Sequence, residues 1–248
     1  MKILGLESSA TSASVSVVEN GKVIALTSSN TGLTHSQTLM PMVENTLKKA
    51  DITINDIDFL AISNGPGSFT GVRIGVSAVK GICDPLNKKC VGISTLEAIA
   101  KPLENTGVIA VATMDARCNQ VYTATFDCLR GETKRLTEDE AITIDELTER
   151  LKTQDKQLVL IGDGANVCYK KMKDVLENIS IASPTIRYQS ASSVALIAEE
   201  LIEILSAPSR RSILKSSTVR IPPPTVNGIN TFSATLRTIS TTVFLASE

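Results

Sequence analysis

Lys2-Ile-Leu-Gly-Leu-Glu7 is a near-continuous apolar run that ends in an acid, and Val108-Ile-Ala-Val-Ala-Thr-Met-Asp115 has the same form. Beyond each acid, at similar distance, comes an alternating stretch, around Val15 in one case and Thr123 in the other. Short apolar runs bounded by polar turns read as strands. A strand, an acid-tipped turn and a second strand occurring twice predict two domains of one architecture.

Working outward from the first run, Ala13–Glu19 alternates, and Asn20-Gly21 is a two-residue hairpin signal before a strand over 22–27. Helical spacing follows over 36–50, where Leu39, Val43, Leu47 and Ala50 share one face. Pro41 inside that segment predicts a bend or a delayed start, because it has no N–H. Strands are expected at 59–63, 90–93 and 157–162, and helices at 69–83 and 191–205. Ser94-Thr-Leu-Glu97 and Thr143-Ile-Asp-Glu146 open further helices with capping-box patterns. Strands in a meander, then strands alternating with helices, predict an α/β fold of mixed sheets flanked by helices. The expected division is 1–103 and 104–208, with the boundary at the Pro, Asn and Gly of 102–107. Residues 209–248 form an atypical Ser/Thr-rich tail with Pro222-Pro-Pro224, a composition shift typical of disorder.

Composition narrows the classes of function. A hydrophobic share of 42% with 21% charged residues suits a globular chain, and 3% aromatics with no Trp demand an aliphatic core. The net charge of −1 hides an asymmetry. Arg210, Arg211, Lys215, Arg220 and Arg237 face only Glu248 in the tail, so the body is acidic. An acidic body has little attraction for phosphate backbones, and a partner must supply any grip on nucleic acid. The five cysteines include no C-x-x-C pair, which fits reduced thiols in the cytoplasm and neither a disulfide framework nor a zinc site. No apolar run of about 18 residues predicts a membrane span.

Gly65-Pro-Gly-Ser-Phe-Thr-Gly-Val-Arg-Ile-Gly75 is the most informative stretch. Gly65, Pro66 and Gly67 can build a tight turn, and Ser68 stands where a helix N-cap belongs. A Gly-rich turn opening a helix can also cradle an anion, although no Lys follows at P-loop spacing. Both readings stay open. In the helix that follows, each interior Gly costs about 1 kcal/mol relative to Ala. Gly71, Gly75 and Ala78 share one stripe, which predicts a second helix lying tight against it, in this chain or in another.

With Thr34-His-Ser-Gln-Thr-Leu-Met-Pro41 upstream and Gly92-Ile-Ser-Thr-Leu-Glu97 downstream, that stretch resembles the TsaB family, formerly YeaZ. The resemblance covers roughly residues 1–127, with an echo at Met114-Asp-Ala-Arg117. It implies the actin-like, sugar-kinase-like ATPase superfold with two related domains. It further implies a non-catalytic subunit, without cofactor or metal, for N6-threonylcarbamoyladenosine modification at position 37 of tRNA. Its expected partners are the catalytic homologue TsaD and the ATPase TsaE, or a second copy when alone, with tRNA reached only through the complex. The partner-binding helices would be 36–50 and 69–83, with His35, Leu39, Met42, Thr46, Arg73, Val76 and Lys80 as exposed contacts. The chain departs from the family at Glu7-Ser8-Ser9, where Asp-Thr-Ser is usual, and at Cys118-Asn-Gln120, where Arg-Gly-Glu is common. A final Tyr-Leu-Arg motif is missing.

Three enzymatic readings compete. A zinc peptidase needs two His or a His with close carboxylates, and His35 is the sole His. A nucleophile at Ser36 would point about 100° away from His35 on a helix, and no G-x-S-x-G elbow occurs. A small-molecule kinase of the same superfold would need a phosphate-gripping Gly turn and a deep Asp. Only Glu7 and Asp115 offer an acid, and no Gly lies between Glu7 and Asn20.

Overall fold

The computed structural model describes residues 1–31, 34–129 and 132–206; the tail expectations lie outside the described residues. The first half begins with β1 (Lys2–Glu7), β2 (Ala13–Glu19) and β3 (Lys22–Ser29). Asn20 and Gly21 take positive φ of 51° and 73° at the hairpin between β2 and β3, as a primed two-residue turn requires. Then come α1 (His35–Lys49), β4 (Phe59–Ser63), α2 (Phe69–Leu86), β5 (Lys89–Ile93) and α3 (Thr95–Ala100). The second half comprises β6 (Ile109–Arg117), β7 (Gln120–Leu129), β8 (Glu132–Arg135), β9 (Glu140–Thr143), α4 (Ile144–Leu151), β10 (Leu158–Ile161), α5 (Ala165–Met172), β11 (Ile179–Ile181) and α6 (Ala191–Ser206).

The two sheets have one plan. The first runs β3-β2-β1-β4-β5 and the second β8-β7-β6-β10-β11, with β9 pairing β7 beyond that path. In each, the first strand is antiparallel to its hairpin partner and parallel to the strand that follows a helix. The repeat expected from Glu7 and Asp115 is therefore present as a duplicated sheet. Elements α5, β8, β9 and β11 were not anticipated, and they are short segments with little periodic signal.

Packing crosses the sequence division at residue 103. Helix α3, from the first half, buries Leu96, Ile99 and Ala100 with Ala110, Ala112, Ala124 and Phe126 of the second sheet. Helix α6, from the second, buries Val194, Ala195, Ile197, Ala198 and Ile202 against Ile3, Val18, Ala61, Val91 and Ile93 of the first. Gly5 permits that return, because a Cβ there would lie 2.5 Å from the Ala191 carbonyl oxygen. Ser14 Oγ accepts from the Ala191 N–H at 2.8 Å, and Glu199 accepts from the Asn20 and Gly21 N–H groups at the hairpin.

Helices α1 and α2 cover the other face of the first sheet, where Leu39, Val43 and Leu47 meet Val15, Val17 and Leu60. Helix α1 begins at His35 and runs through Pro41. Pro41 stands on the exposed face, so the carbonyl it leaves unpaired has access to water. At Ser94 the capping box is half formed. Ser94 Oγ accepts from Glu97 N–H at 3.3 Å, while the Glu97 carboxylate turns to Arg135.

Candidate functional site

A cleft of about 800 Å³ opens between the acid-tipped turns of the two halves. Its walls include Ser9, Ala10, Thr11 and His35 from one side, Gly67, Ser68, Phe69 and Thr70 from the start of α2, and Met114, Asp115, Arg117, Tyr122 and Asp163 from the other.

The turn after β1 is tied down on every side. Glu7 is fully buried, and its Oε1 accepts from Ser9 N–H at 2.6 Å and Ser9 Oγ at 2.5 Å, while Oε2 has no partner. Burial pushes the Glu7 carboxyl above its ordinary value, against the hydrogen bonds from Ser9. Ser8 Oγ donates to the Gly71 carbonyl at 2.9 Å, Ser68 N–H donates to the Ser9 carbonyl at 2.7 Å, and His35 Nε2 meets the Ala10 carbonyl at 2.7 Å. Glu7 thus reaches back onto its own turn, and the Ser9 amide, which a bound anion would need, is already engaged.

The glycines of the 65–75 stretch serve this contact. A Cβ at Gly67 would stand 2.5 Å from the Ser9 carbonyl oxygen; one at Gly71, 2.1 Å from that of Ser8. At Gly75 it would meet Ser8 Oγ at 2.3 Å and Ile62 Cδ1 at 2.7 Å. Ser68 caps α2, its Oγ accepting from Gly71 N–H at 3.3 Å. The geometry shows what this stretch packs against. The turn made by Gly65, Pro66 and Gly67 cradles the backbone after β1, and the small-residue stripe packs on Ser8 and Ile62. The expected neighbouring helix is met only at its first residue, where His35 of α1 would lie 3.3 Å from a Cβ at Gly71; the tighter contacts are with the turn after β1 and with Ile62 of β4.

On the opposite wall, Asp115 Oδ1 accepts from Arg117 N–H at 2.8 Å. Arg117, Cys118 and Asn119 all take positive φ, of 64°, 49° and 62°. Such a run of non-glycine residues is strained and needs support from outside the turn. Asn119 supplies it, since its carbonyl accepts from Ile144 N–H at 3.1 Å, its Oδ1 accepts from Lys171, and its Nδ2 donates to Asp145. This is where Cys118-Asn-Gln120 replaces the usual charges. Burial raises the Asp163 carboxyl above the ordinary range, and Asp115 adds repulsion. Among the described residues no group of three or more His, Cys, Asp or Glu is placed to hold a metal ion, and no helix is long and apolar enough to cross a membrane.

The expected partner contacts divide. Arg73 and Lys80 are exposed on α2, Val76 is half-buried between them, and His35 is half-buried at the cleft. Leu39, Met42 and Thr46 are corrected: they are 1%, 6% and 0% exposed and face the sheet. The inward stripe of α1 is wider than one residue per turn, and Thr46 satisfies its hydroxyl by donating to the Met42 carbonyl at 2.7 Å. The exposed side of α1 instead carries Met40, Pro41 and Glu44. On α2 the sequence reading passed over Phe69, 56% exposed, with the Arg73 guanidinium 3.5 Å from its ring centroid. Its spacing of four from Arg73 was the available signal.

Two copies of one sheet plan around a cleft define a chain of the actin-like, sugar-kinase-like superfold, and residues 29–223 match the family model described as "TsaD: tRNA N6-adenosine threonylcarbamoyltransferase". Within that class the chain belongs to the TsaB (YeaZ) family. It is similar to the tRNA threonylcarbamoyladenosine biosynthesis protein TsaB of Buchnera aphidicola subsp. Schizaphis graminum, 32% identical over 179 residues, covering 69% of this chain and 80% of that protein. The protein of the same description in Escherichia coli (strain K12) is 31% identical over 167 residues, covering 66% and 72%. The solved structure "YeaZ from Pseudomonas aeruginosa" shares the fold, with a TM-score of 0.68 at 22% identity over 82% of this chain and 92% of that one.

Proposed function

We propose that this chain serves threonylcarbamoyladenosine biosynthesis on tRNA as an accessory subunit that binds and activates a TsaD-type catalytic homologue. The names of its relatives supply the pathway. The observation that carries the subunit role is the outer surface of α2. Phe69, Arg73, Val76 and Lys80 line it at helical spacing, and α1 exposes Met40 and Pro41. An aromatic and an arginine stacked at the surface, beside aliphatic residues, are the residue types that anchor protein interfaces. A second copy would cover the same surface when TsaD is absent. A TsaE-type ATPase would complete the assembly, and tRNA would be gripped by the partners, since this chain's body is acidic.

The test uses TsaD and TsaE of the same organism. The full chain is expected to co-purify with TsaD and to be required for threonylcarbamoyladenosine formation. Arg73→Glu with Lys80→Glu should weaken binding at least tenfold, about 1.4 kcal/mol, while the melting temperature stays unchanged. If TsaD and TsaE modify tRNA equally well without this chain, the proposal fails.

A further inference from the structure

The second sheet carries a pocket that shares no wall residue with the cleft. Alternation along β7 sends Ala124, Phe126 and Cys128 into the core beneath α3, and Val121 into the core beneath α4. On the Val121 side the strand continues with Thr123, Thr125 and Asp127, and α4 ends at Leu151 after 8 residues. Strands β9 and β8 pair in turn with 120–123 and 126–129 of β7. Between this strand face and the end of α4 lies a hollow of about 470 Å³. Ile109, Leu136, Leu147 and Leu151 form its aliphatic wall, and Asp127, Glu140, Arg150, Asp155 and Lys156 its charged one. The threonines are already satisfied within the sheet. Thr123 Oγ1 donates to the Ala112 carbonyl at 3.0 Å, while Thr137 Oγ1 accepts from Thr125 N–H at 2.9 Å and lies 3.2 Å from Thr125 Oγ1.

Asp127 Oδ2 accepts from Lys156 Nζ at 2.6 Å, whereas Oδ1 is buried and has no partner among the described residues. A buried carboxylate oxygen without a donor is costly, so the pocket wall offers an acceptor to a ligand. The neighbours restrict that ligand's charge. A lone cation at Asp127 is repelled by the Lys156 ammonium on the same carboxylate. A lone anion at Lys156 is repelled by Asp127, Glu140 and Asp155. A molecule with an ammonium and a carboxylate on neighbouring atoms meets neither obstacle. Its ammonium donates to Asp127 Oδ1, and its carboxylate accepts from Lys156, whose ammonium has donors left after serving Asp127. Four alternating charges then close a ring. The Arg150 charge is already matched by Glu140 at 2.6 Å.

We propose that this pocket binds a free α-amino acid with an aliphatic side chain, its charged end on Asp127 and Lys156 and its side chain on Leu136, Leu147 and Leu151. The hollow falls within the volume range of small-molecule sites, and an aliphatic wall with a few placed polar groups is their usual composition. With the threonine hydroxyls spent, the Asp127–Lys156 pair is the polar handle that fixes the ligand's orientation. The site belongs to the second sheet and involves no residue of α2, so it stands whether or not the chain partners TsaD.

The full chain is titrated with L-valine and L-leucine by calorimetry and by thermal shift, at up to about 10 mM. Saturable binding and a raised melting temperature are expected for at least one of them. Isobutylamine and isovalerate each keep one charged pole of valine and should bind at least tenfold more weakly than the amino acid. Asp127→Asn and Lys156→Met should each weaken binding at least tenfold, whereas Lys152→Met, on the neighbouring surface, should leave it unchanged. Should Asp127→Asn fail to fold, Lys156→Met carries the comparison, because its side chain is 47% exposed. No saturable binding by either amino acid overturns the site. Binding undiminished in the pocket variants places the ligand elsewhere and overturns the assignment. Isobutylamine or isovalerate binding as tightly as valine overturns recognition of the two poles.

Discussion

Glu7 is a fully buried carboxyl. One oxygen takes two hydrogen bonds from Ser9 and the other takes none. Because burial lifts its pKa above 4.5, the folded chain holds this proton more tightly than the unfolded chain. The carboxyl's contribution to stability is complete below the unfolded value and is lost as pH rises through the raised folded one. Glu7→Gln keeps an acceptor for Ser9 and removes the charge. It is expected to stabilise the chain by on the order of 1–2 kcal/mol at pH 8, with the gain vanishing below about pH 4.5. Urea unfolding at the two pH values measures this. An equal difference at both would show that the charge is not the cause.

At the level of elements, α2 shows that identical residues in one helix have opposite reasons for being there. Gly71 and Gly75 are demanded by the approach of Ser8, whereas a Cβ at Gly81 would meet nothing within 4 Å. Gly71→Ala should therefore cost about 1–3 kcal/mol through forced displacement of the turn after β1. Gly81→Ala should gain about 1 kcal/mol of helix propensity. Thermal or urea melts of the two variants separate these effects, and a loss at both positions would mean that Gly81 has a contact within the folded chain. At Gly71 and Gly75 the helix propensity that α2 gives up is thus offset inside this chain, by packing on a turn and on β4.

The halves are joined by exchanged helices, by Lys101 pairing with Glu200 of α6 at 2.6 Å, and by a charged cluster around Arg135. Arg135 of β8 pairs with Asp139 at 2.6 Å and with Glu97 of α3 at 3.2 Å, over the Phe126 ring at 4.7 Å from its centroid. Ser94, at the start of α3, donates to the other Asp139 oxygen at 2.7 Å. The Asp139 side chain is 3% exposed, so losing its partner leaves a buried charge. Arg135→Met is expected to destabilise the molecule by about 3 kcal/mol, and adding Asp139→Asn should recover part of that, because breaking a buried pair costs more than removing both charges. A double-mutant cycle in urea checks the sign; a double variant no better than the single would show that the packing of Arg135 on Phe126 dominates.

Local chemistry made much of this legible in the sequence. Apolar runs ending in Glu7 and Asp115 gave the duplicated strands, Asn20-Gly21 the hairpin, Ser68 and Thr143 the helix caps, and the 65–75 motif the family. Each of these depends on residues near one another in the chain. The width of the α1 stripe, which hides Leu39, Met42 and Thr46, depends on how deeply that helix sits on its sheet. The neighbour of Gly71 is a turn sixty-three residues upstream. The crossing of α3 and α6 to opposite sheets joins residues still farther apart, as with Ser14 and Ala191. Sequence alone determined what most segments are, the short α5, β8, β9 and β11 excepted, because propensity, capping and periodicity act over a few residues. Which surfaces meet was decided by the tertiary structure, because close packing selects among distant partners by shape, and no local pattern records that shape.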